Sequence, residues 1–252
     1  MNNIHVIYHK DIPELKEAYL ICGFPGSGYV GKLAIDHLIQ ELKAEHIVDI
    51  YSSAMPPQVV IRSDGTLELM KNSLYYYDGN KPLLLLTSDS QPIVPDAEYI
   101  LADAIFDILK YKIDTVFTLA AYITGVFVNK PKVYATATDK HILEELRNKG
   151  LEIMDNGSVT GMNGVIIGLA KLRNIKGICL LGETSGYVID ASAASAVLKT
   201  LTSILDIVID MQDLEKRIKD AEPIIKALEQ QLQQQTEIIQ QSKQNKDLGY
   251  IS

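Results

Sequence analysis

Short apolar runs alternate with segments of helical period along most of this 252-residue chain. The run AYLICG is followed by a glycine-rich loop and then by KLAIDHLIQELK, whose apolar residues recur every three or four positions. Later, LLLLTSD precedes a helical segment over Asp96 to Lys110, and KGICLLGET precedes one over Ala191 to Ile209. Alternating strands and helices predict an α/β fold with a mainly parallel sheet between helices.

The segment from residue 57 to residue 80 departs from this alternation. Asp64-Gly65 and Asp78-Gly79 each lie between two β-type runs. Glycine in such a pair supplies the positive φ that a tight hairpin turn needs. We therefore expect an antiparallel insertion in this part of the sheet.

Charge and composition exclude several classes of partner. The formal net charge is −8 and the basic residues are scattered, so DNA and RNA are poor partners. No run approaches the roughly 18 apolar residues of a membrane span, and the N-terminus lacks a signal-peptide pattern. Cys22 and Cys179 lie in apolar runs and are expected to be buried rather than bridged. We expect a cytoplasmic protein that binds neither nucleic acid nor membrane.

The last forty or so residues carry a different pattern. Apolar residues recur at spacings of three and four from Met211 to Ile239, which is typical of a heptad seam. Pro223 cannot continue a helix without a kink and is expected to begin a new one. The sequence predicts an α/β globular domain over 1–210, a helical arm over 211–246 that is kinked or broken near 223, and a flexible tail over 247–252.

The loop GFPGSGYVGK fits two phosphate-binding patterns incompletely. The P-loop pattern requires Ser or Thr after Gly31-Lys32, but Leu33 stands there. The dinucleotide pattern G-x-G-x-x-G is present, with Asp49 about 20 residues on, but Asp49 falls in the middle of HIVDIYS. The alternatives are a nucleotide- or nucleoside-binding enzyme that uses residues 23–32 and a structural turn. We favour the turn, formed by Gly23, Pro25, Gly26, Gly28 and Gly31.

Other catalytic or metal-binding patterns are weak. The histidines His5, His9, His37, His46 and His141 are scattered along the chain, with no set of carboxylates at ligand spacing. Surface or helix-end positions are the expected interpretation for them. The sequence therefore predicts no catalytic residue, no cofactor and no metal site.

Four segments together resemble a known family. They are GFPGSGYVGKLAIDHLI, AMPPQVVIRSDG, TGMNG and GICLLGET, within a match over about residues 15–210. The pattern is similar to the proteasome assembly chaperone family, most of all to its archaeal branch. The resemblance implies a fold akin to purine nucleoside phosphorylases without their active site. It also implies homo-oligomers and a non-enzymatic role in assembling the proteasome core particle.

The resemblance also gives the C-terminal tail a role. Family members end in a hydrophobic residue, a tyrosine and any residue, and this motif enters pockets between core-particle α-subunits. Here the tyrosine is third from the end instead of second, and Gly249 precedes it in place of a hydrophobic residue. The carboxylate therefore lies one residue, about 3.5 Å, farther from the tyrosine. The implied partner-binding residues are Leu248, Tyr250, Ile251 and Ser252. The arm could pack on its own domain, pair with a neighbour's arm, or meet an unassembled subunit.

Overall fold

A computed structural model of the protein describes residues 3–15, 17–109 and 113–247, with side chains as far as residue 231. In these residues a nine-stranded sheet is covered by helices on both faces, and a two-stranded hairpin lies beside it. The α/β class expected from the sequence is confirmed. The strands β1 to β11 are, in chain order, Ile4–Tyr8, Ala18–Gly23, Glu45–Ser52, Val59–Ile61, Leu67–Leu69, Asn72–Tyr77, Leu83–Ser88, Ile113–Ile123, Val133–Ala137, Glu152–Ile153 and Lys176–Thr184.

The sheet is mixed, so the prediction of a mainly parallel sheet is wrong. Its strand order is β1-β3-β6-β7-β2-β8-β11-β9-β10. The central strands β7, β2, β8 and β11 are parallel, whereas β1, β3 and β6 extend the sheet as antiparallel neighbours and β9 runs antiparallel to β11. An apolar run shows that a strand is buried on both faces, but it does not fix the direction of its neighbour.

Helices on the two faces of the sheet form separate cores. The helices α1 to α6 are Val30–Glu41, Pro95–Leu109, Lys140–Asn148, Gly161–Leu172, Ala191–Leu205 and Gln212–Asp247. Helices α1, α3 and α5 cover one face, where Ile35, Leu146 and Leu198 are buried together. Helices α2 and α4 cover the other face through residues such as Leu101 and Ile166.

The antiparallel insertion predicted near residues 57–80 is confirmed. Strands β4 and β5 form a hairpin around Asp64-Gly65, where Gly65 has a φ of +84° and the Asp64 carboxylate accepts the Thr66 N–H at 2.9 Å. Strands β6 and β7 form a second hairpin around Asp78-Gly79. Gly65 takes the positive φ expected of an Asp-Gly turn, whereas Gly79 does not.

Helix α6 runs without interruption from Gln212 to Asp247 with Pro223 inside it. The expectation that Pro223 begins a new helix is therefore wrong. Proline removes one backbone hydrogen bond and crowds one carbonyl, and the remaining bonds of a helix this long can outweigh that local loss. The division of the chain into a domain, an arm and a tail stays a prediction.

The two cysteines are free and fully buried, as the sequence predicted. Burial raises the pKa of Cys179 to about 11 and that of Cys22 further still. Both thiols are therefore protonated at neutral pH. Within the described ranges, no helix is both long enough and apolar enough to cross a membrane.

Candidate functional site

The glycine loop joins β2 to α1 through a turn with two consecutive left-handed residues. A single 3-10 turn covers Ser27–Tyr29, in which Gly28 has a φ of +62° and Tyr29 a φ of +53°. The Gly28 carbonyl accepts the N–H of Asp190 at 2.8 Å. The Pro25 carbonyl accepts the side-chain N–H of Gln91. The loop is thus fixed to the start of α5 and to the segment after β7.

Two glycines of the loop lie where backbones approach too closely for a side chain. A Cβ on Gly31 would lie 2.0 Å from the carbonyl oxygen of Leu119 in β8. A Cβ on Gly23 would lie 2.3 Å from the carbonyl oxygen of Gly31. These contacts hold the first turn of α1 against the sheet, which is a structural requirement for glycine. Gly26, by contrast, has only one atom at 4.0 Å from such a position.

Lys32, which would be the phosphate-binding lysine of a P-loop, is engaged by protein groups. Its Nζ donates to Asp36 Oδ1 at 3.0 Å and to Thr87 Oγ1 at 2.8 Å. Thr87 in turn donates to the same Asp36 oxygen at 2.6 Å. The Lys32 ammonium group is therefore already paired with protein groups and is not available to bind a nucleotide phosphate.

Asp49 lies in the wrong strand to bind a ribose at the glycine loop. It is on β3, and two strands, β6 and β7, separate β3 from β2 in the sheet. At about 4.8 Å per strand spacing, that separation is about 14 Å. The geometry therefore disfavours the dinucleotide interpretation of the loop.

A cavity of about 620 Å³ opens beside the glycine loop at the carboxyl ends of β8 and β11. Its wall includes Ser27, the last residues of β8 and the segment 154–161 that leads into α4. Asn163 also faces it, and the Oδ1 of this buried side chain has no hydrogen-bond partner among the described residues. The described lining contains Asp155 but neither lysine nor arginine, so the cavity is poorly suited to a nucleotide's phosphates.

A cluster that the sequence analysis did not anticipate surrounds Asp49, and we call it the Asp49 cluster: His9, His46, Asp49, Lys71 and Ser73. A β-bulge between His46 and Val48 places His46 and Asp49 on the same face of β3, although they are three residues apart. The Asp49 carboxylate, only 2% exposed, is bonded to His9 at 2.9 Å, His46 at 2.8 Å, Lys71 at 2.9 Å and Ser73 at 2.7 Å.

The hydrogen bonds of this cluster control the ionisation of Asp49. Burial alone would raise the pKa of Asp49, but the bonds from Ser73, His9, Lys71 and His46 outweigh it and lower the pKa to about 2. The carboxylate is therefore ionised at any physiological pH. Sequence spacing could not reveal this cluster, because it depends on strand pairing and on the bulge.

His37 differs from the expected surface position. It is buried on α1, and its Nε2 donates to the carbonyl oxygen of Asp210 at 2.7 Å. The bond fixes the segment that leads into α6. A histidine on the inner side of a helix is tolerated when its ring nitrogen finds such a partner.

Helix α6 is attached to the domain through its first turns. Leu214 is buried against the core that contains α5, and Gln40 donates to Asp213 at 3.3 Å. Lys199 and Glu215 form an ion pair at 3.7 Å. Beyond this attachment, the seam residues Ile218, Ala221, Ile225 and Leu228 are only partly buried. The tail residues Leu248, Tyr250, Ile251 and Ser252 lie outside the described residues.

The β4–β5 hairpin presents an apolar face to solvent, and we call it the hairpin face. Its register pairs Val59 with Leu69 and Ile61 with Leu67, so all four side chains lie on one side. All four are exposed, and Ile61 reaches 71%. On the opposite side, Arg62 forms ion pairs with Glu68 at 2.5 Å and with Asp89 at 3.5 Å. A contiguous aliphatic face of this kind is typical of an interaction surface.

The family of the chain follows from a match over residues 20–230 to the PAC2 family. The chain belongs to the PAC2 family. The matched range includes the glycine loop, both cores and the first half of α6. A relative in Methanocaldococcus jannaschii, described as an uncharacterized protein, is 36% identical over 245 residues, which is 96% of this chain and 95% of the relative. A second uncharacterized protein of that organism is 26% identical over 231 residues, covering 91% of this chain and 92% of its own length.

Two solved structures from Pyrococcus furiosus are similar over nearly the whole chain. PbaB, described as an archaeal proteasome activator, has a TM-score of 0.84 and 34% identity, and the match covers 91% of this chain and 100% of PbaB. PbaA, described as an archaeal homolog of proteasome-assembly chaperone, has a TM-score of 0.74 and 27% identity, covering 98% and 99%. The resemblance to archaeal proteasome assembly chaperones is thus confirmed. Family membership groups the chain with chaperone and activator homologues rather than with enzymes.

Proposed function

We propose that this PAC2 protein is a non-enzymatic proteasome assembly chaperone or activator that binds core-particle α-subunits through its C-terminal tail. The similarity to PbaB, an archaeal proteasome activator, supports the proteasome as partner. The observation that carries the tail assignment is α6, which starts on the domain and continues for 36 residues to Asp247. A helix of that length spans about 54 Å, at about 1.5 Å per residue.

Helix α6 is held to the domain at its N-terminal end. His37, Gln40 and Lys199 hold the segment from Asp210 to Glu215. We propose that this long helix, fixed at its base, presents the residues that follow it, Leu248 to Ser252, to the core particle. Tyr250 then offers a large ring with a polar tip, which is a frequent interface anchor, and the terminal carboxylate suits a basic pocket.

We propose further that the protein acts as a homo-oligomer. Two surfaces support this: the hairpin face, with four exposed aliphatic side chains, and the partly buried seam of α6. Both would be costly to leave in water and both suit a second copy of the chain. Several tails on one assembly could then engage several α-subunit pockets, so weak single contacts would add up to strong binding.

The glycine loop has a structural role in this proposal. Gly23 and Gly31 allow α1 to approach the sheet, Gly28 takes a left-handed conformation, and Gly26 and Pro25 complete the turn. The engaged Lys32 and the position of Asp49 support this role over nucleotide binding. The purine nucleoside phosphorylase-like fold and the cytoplasmic location stay predictions.

Binding of purified proteasome core particle tests the proposal. The full chain, a chain that ends at Asp247, a Tyr250→Ala variant and a Tyr99→Ala variant are compared by surface plasmon resonance. Tyr99 is an exposed tyrosine on α2 and serves as the matched control. We expect truncation and Tyr250→Ala to weaken binding at least about tenfold, as for an interface anchor, and Tyr99→Ala to leave it unchanged. Equal binding by all four chains would overturn the tail assignment.

A further inference from the structure

Three potential metal ligands converge in the Asp49 cluster. The Nε2 atoms of His9 and His46 lie 2.9 Å and 2.8 Å from the two carboxylate oxygens of Asp49. One ligand atom from each of the three residues lies within 4.8 Å of the others. The three residues come from the segment after β1 and from two positions of β3. Two imidazoles and one carboxylate form a donor set that suits zinc and neighbouring transition metals.

The spacing of these donors is close to that of a coordination site. Ligands at about 2.0–2.1 Å from a tetrahedral ion are about 3.3 Å apart. The observed nitrogen–oxygen distances are therefore short by only a few tenths of an ångström. Small rotations of the exposed His9 ring and the partly exposed His46 ring lengthen these nitrogen–oxygen distances by that amount. Water can occupy the remaining coordination position from the solvent side.

Neighbouring groups already orient two of the three ligands. Ser73 donates to Asp49 Oδ1 at 2.7 Å, and the His46 ring stacks on Tyr75 with centroids 4.8 Å apart. The bulged residue Ile47 accepts the backbone N–H groups of His9 and Lys10 at 2.9 Å and 3.2 Å. Partners of this kind, which hold a ligand's orientation, typically accompany metal sites.

We infer that His9, His46 and Asp49 bind one divalent transition-metal ion of the zinc class, which clamps the segment after β1 onto β3. Each neutral imidazole coordinates through Nε2 and carries its proton on Nδ1. The Asp49 carboxylate exchanges its hydrogen bonds from the two rings for one metal–oxygen bond. Strand β1 is the edge strand of the sheet, so the ion would stabilise an element that has only one neighbour. The inference is independent of the proteasome assignment.

Lys71 is the group that opposes metal binding. Its Nζ lies 2.9 Å from Asp49 Oδ2 and 3.4 Å from a carboxylate oxygen of Glu68. A bound divalent cation repels this ammonium, which can retain its contact with Glu68. The site therefore has a specific signature: removing Lys71's charge strengthens metal binding, whereas removing either histidine weakens it.

The test uses the full chain freed of metal by a chelator and then dialysed. Zn²⁺ binding is measured by isothermal titration calorimetry at neutral pH, and the visible absorption of added Co²⁺ reports the coordination. We expect one ion per chain, a loss of affinity of at least about tenfold in His9→Ala and in His46→Ala, and a gain in Lys71→Met. His141→Ala is the matched control, because His141 forms an exposed pair with Glu145 at 3.1 Å on α3.

Thermal unfolding separates metal binding from misfolding. Without metal, each variant is checked for a cooperative transition, and Zn²⁺ should then raise the midpoint of wild type and of His141→Ala but not of His9→Ala. His9 is exposed, so its replacement is the least disruptive of the ligand changes. Failure of wild type to bind one ion would overturn the inference. So would binding that survives in both His9→Ala and His46→Ala, or that His141→Ala reduces equally.

Discussion

Gly31 meets the carbonyl oxygen of Leu119 so closely that a Cβ at position 31 would lie 2.0 Å from it. This contact joins the first turn of α1 to the central strand β8. Gly31→Ala must therefore displace backbone on one side or the other, and overpacking of this kind costs about 1–3 kcal/mol or more. We predict that Gly31→Ala lowers the free energy of unfolding by at least about 2 kcal/mol in denaturant titration.

Gly168→Ala is the matched control for that substitution. Gly168 is exposed within α4, and no atom lies within 4 Å of its would-be Cβ. Alanine there should stabilise the protein by about 0.5–1 kcal/mol, because glycine is the poorer helix residue. Equal effects of the two substitutions would contradict the close approach of α1 to the sheet.

Asp49→Ala should destabilise the protein strongly in a buffer that contains a chelator. It leaves the Lys71 side chain, only 12% exposed, without its nearest carboxylate. Removing one partner of a buried ion pair costs about 3–5 kcal/mol, and we predict a loss near the lower end because Glu68 remains within reach. In a double-mutant cycle, Lys71→Met should recover part of the loss. Strictly additive effects would show that the two side chains are not coupled.

Charge on the hairpin face should reduce the size of the assembly. Ile61→Glu and Leu67→Glu each place a carboxylate among the exposed aliphatic side chains of β4 and β5. Leu172→Glu, at the exposed end of α4, adds the same charge elsewhere. Light scattering coupled to size exclusion should show smaller particles for the two hairpin variants only. An unchanged mass for both would remove the hairpin face from the oligomer interface.

The distance of Tyr250 from the C-terminal carboxylate gives a further prediction. Deletion of Ser252 makes Tyr250 the second residue from the end, which is its place in the family motif. The carboxylate moves about 3.5 Å closer to the tyrosine. We predict that this deletion retains or strengthens binding to the core particle, whereas deletion of Ile251 and Ser252 together weakens it. Stronger binding by the doubly deleted chain would contradict the proposal that the tyrosine binds best as the second residue from the end.

Local chemistry made part of the fold predictable. Gly150 follows α3 with a φ of +84°, the left-handed conformation in which a glycine commonly ends a helix. The Asp64-Gly65 turn and the buried run LLLLTSD were likewise recognisable, because each depends on adjacent residues or on burial alone.

Pairing between distant strands was not predictable in the same way. Nothing in the run HIVDIYS shows that β3 lies antiparallel between β1 and β6, or that a bulge turns His46 and Asp49 to one side. His9 is 40 residues from Asp49 along the chain, and the sheet alone brings them together. The Asp49 cluster is therefore not recognisable from the sequence, which indicates only surface or helix-end positions for its histidines.

The central claim is tested most directly by the affinity of the core particle for Tyr250→Ala relative to Tyr99→Ala. Both variants lose one tyrosine ring, but only the first loses it from the tail. The account predicts that Tyr250→Ala raises the dissociation constant at least about tenfold while Tyr99→Ala matches wild type. Wild-type affinity in both variants would contradict the proposal that the tail anchors this protein to the proteasome.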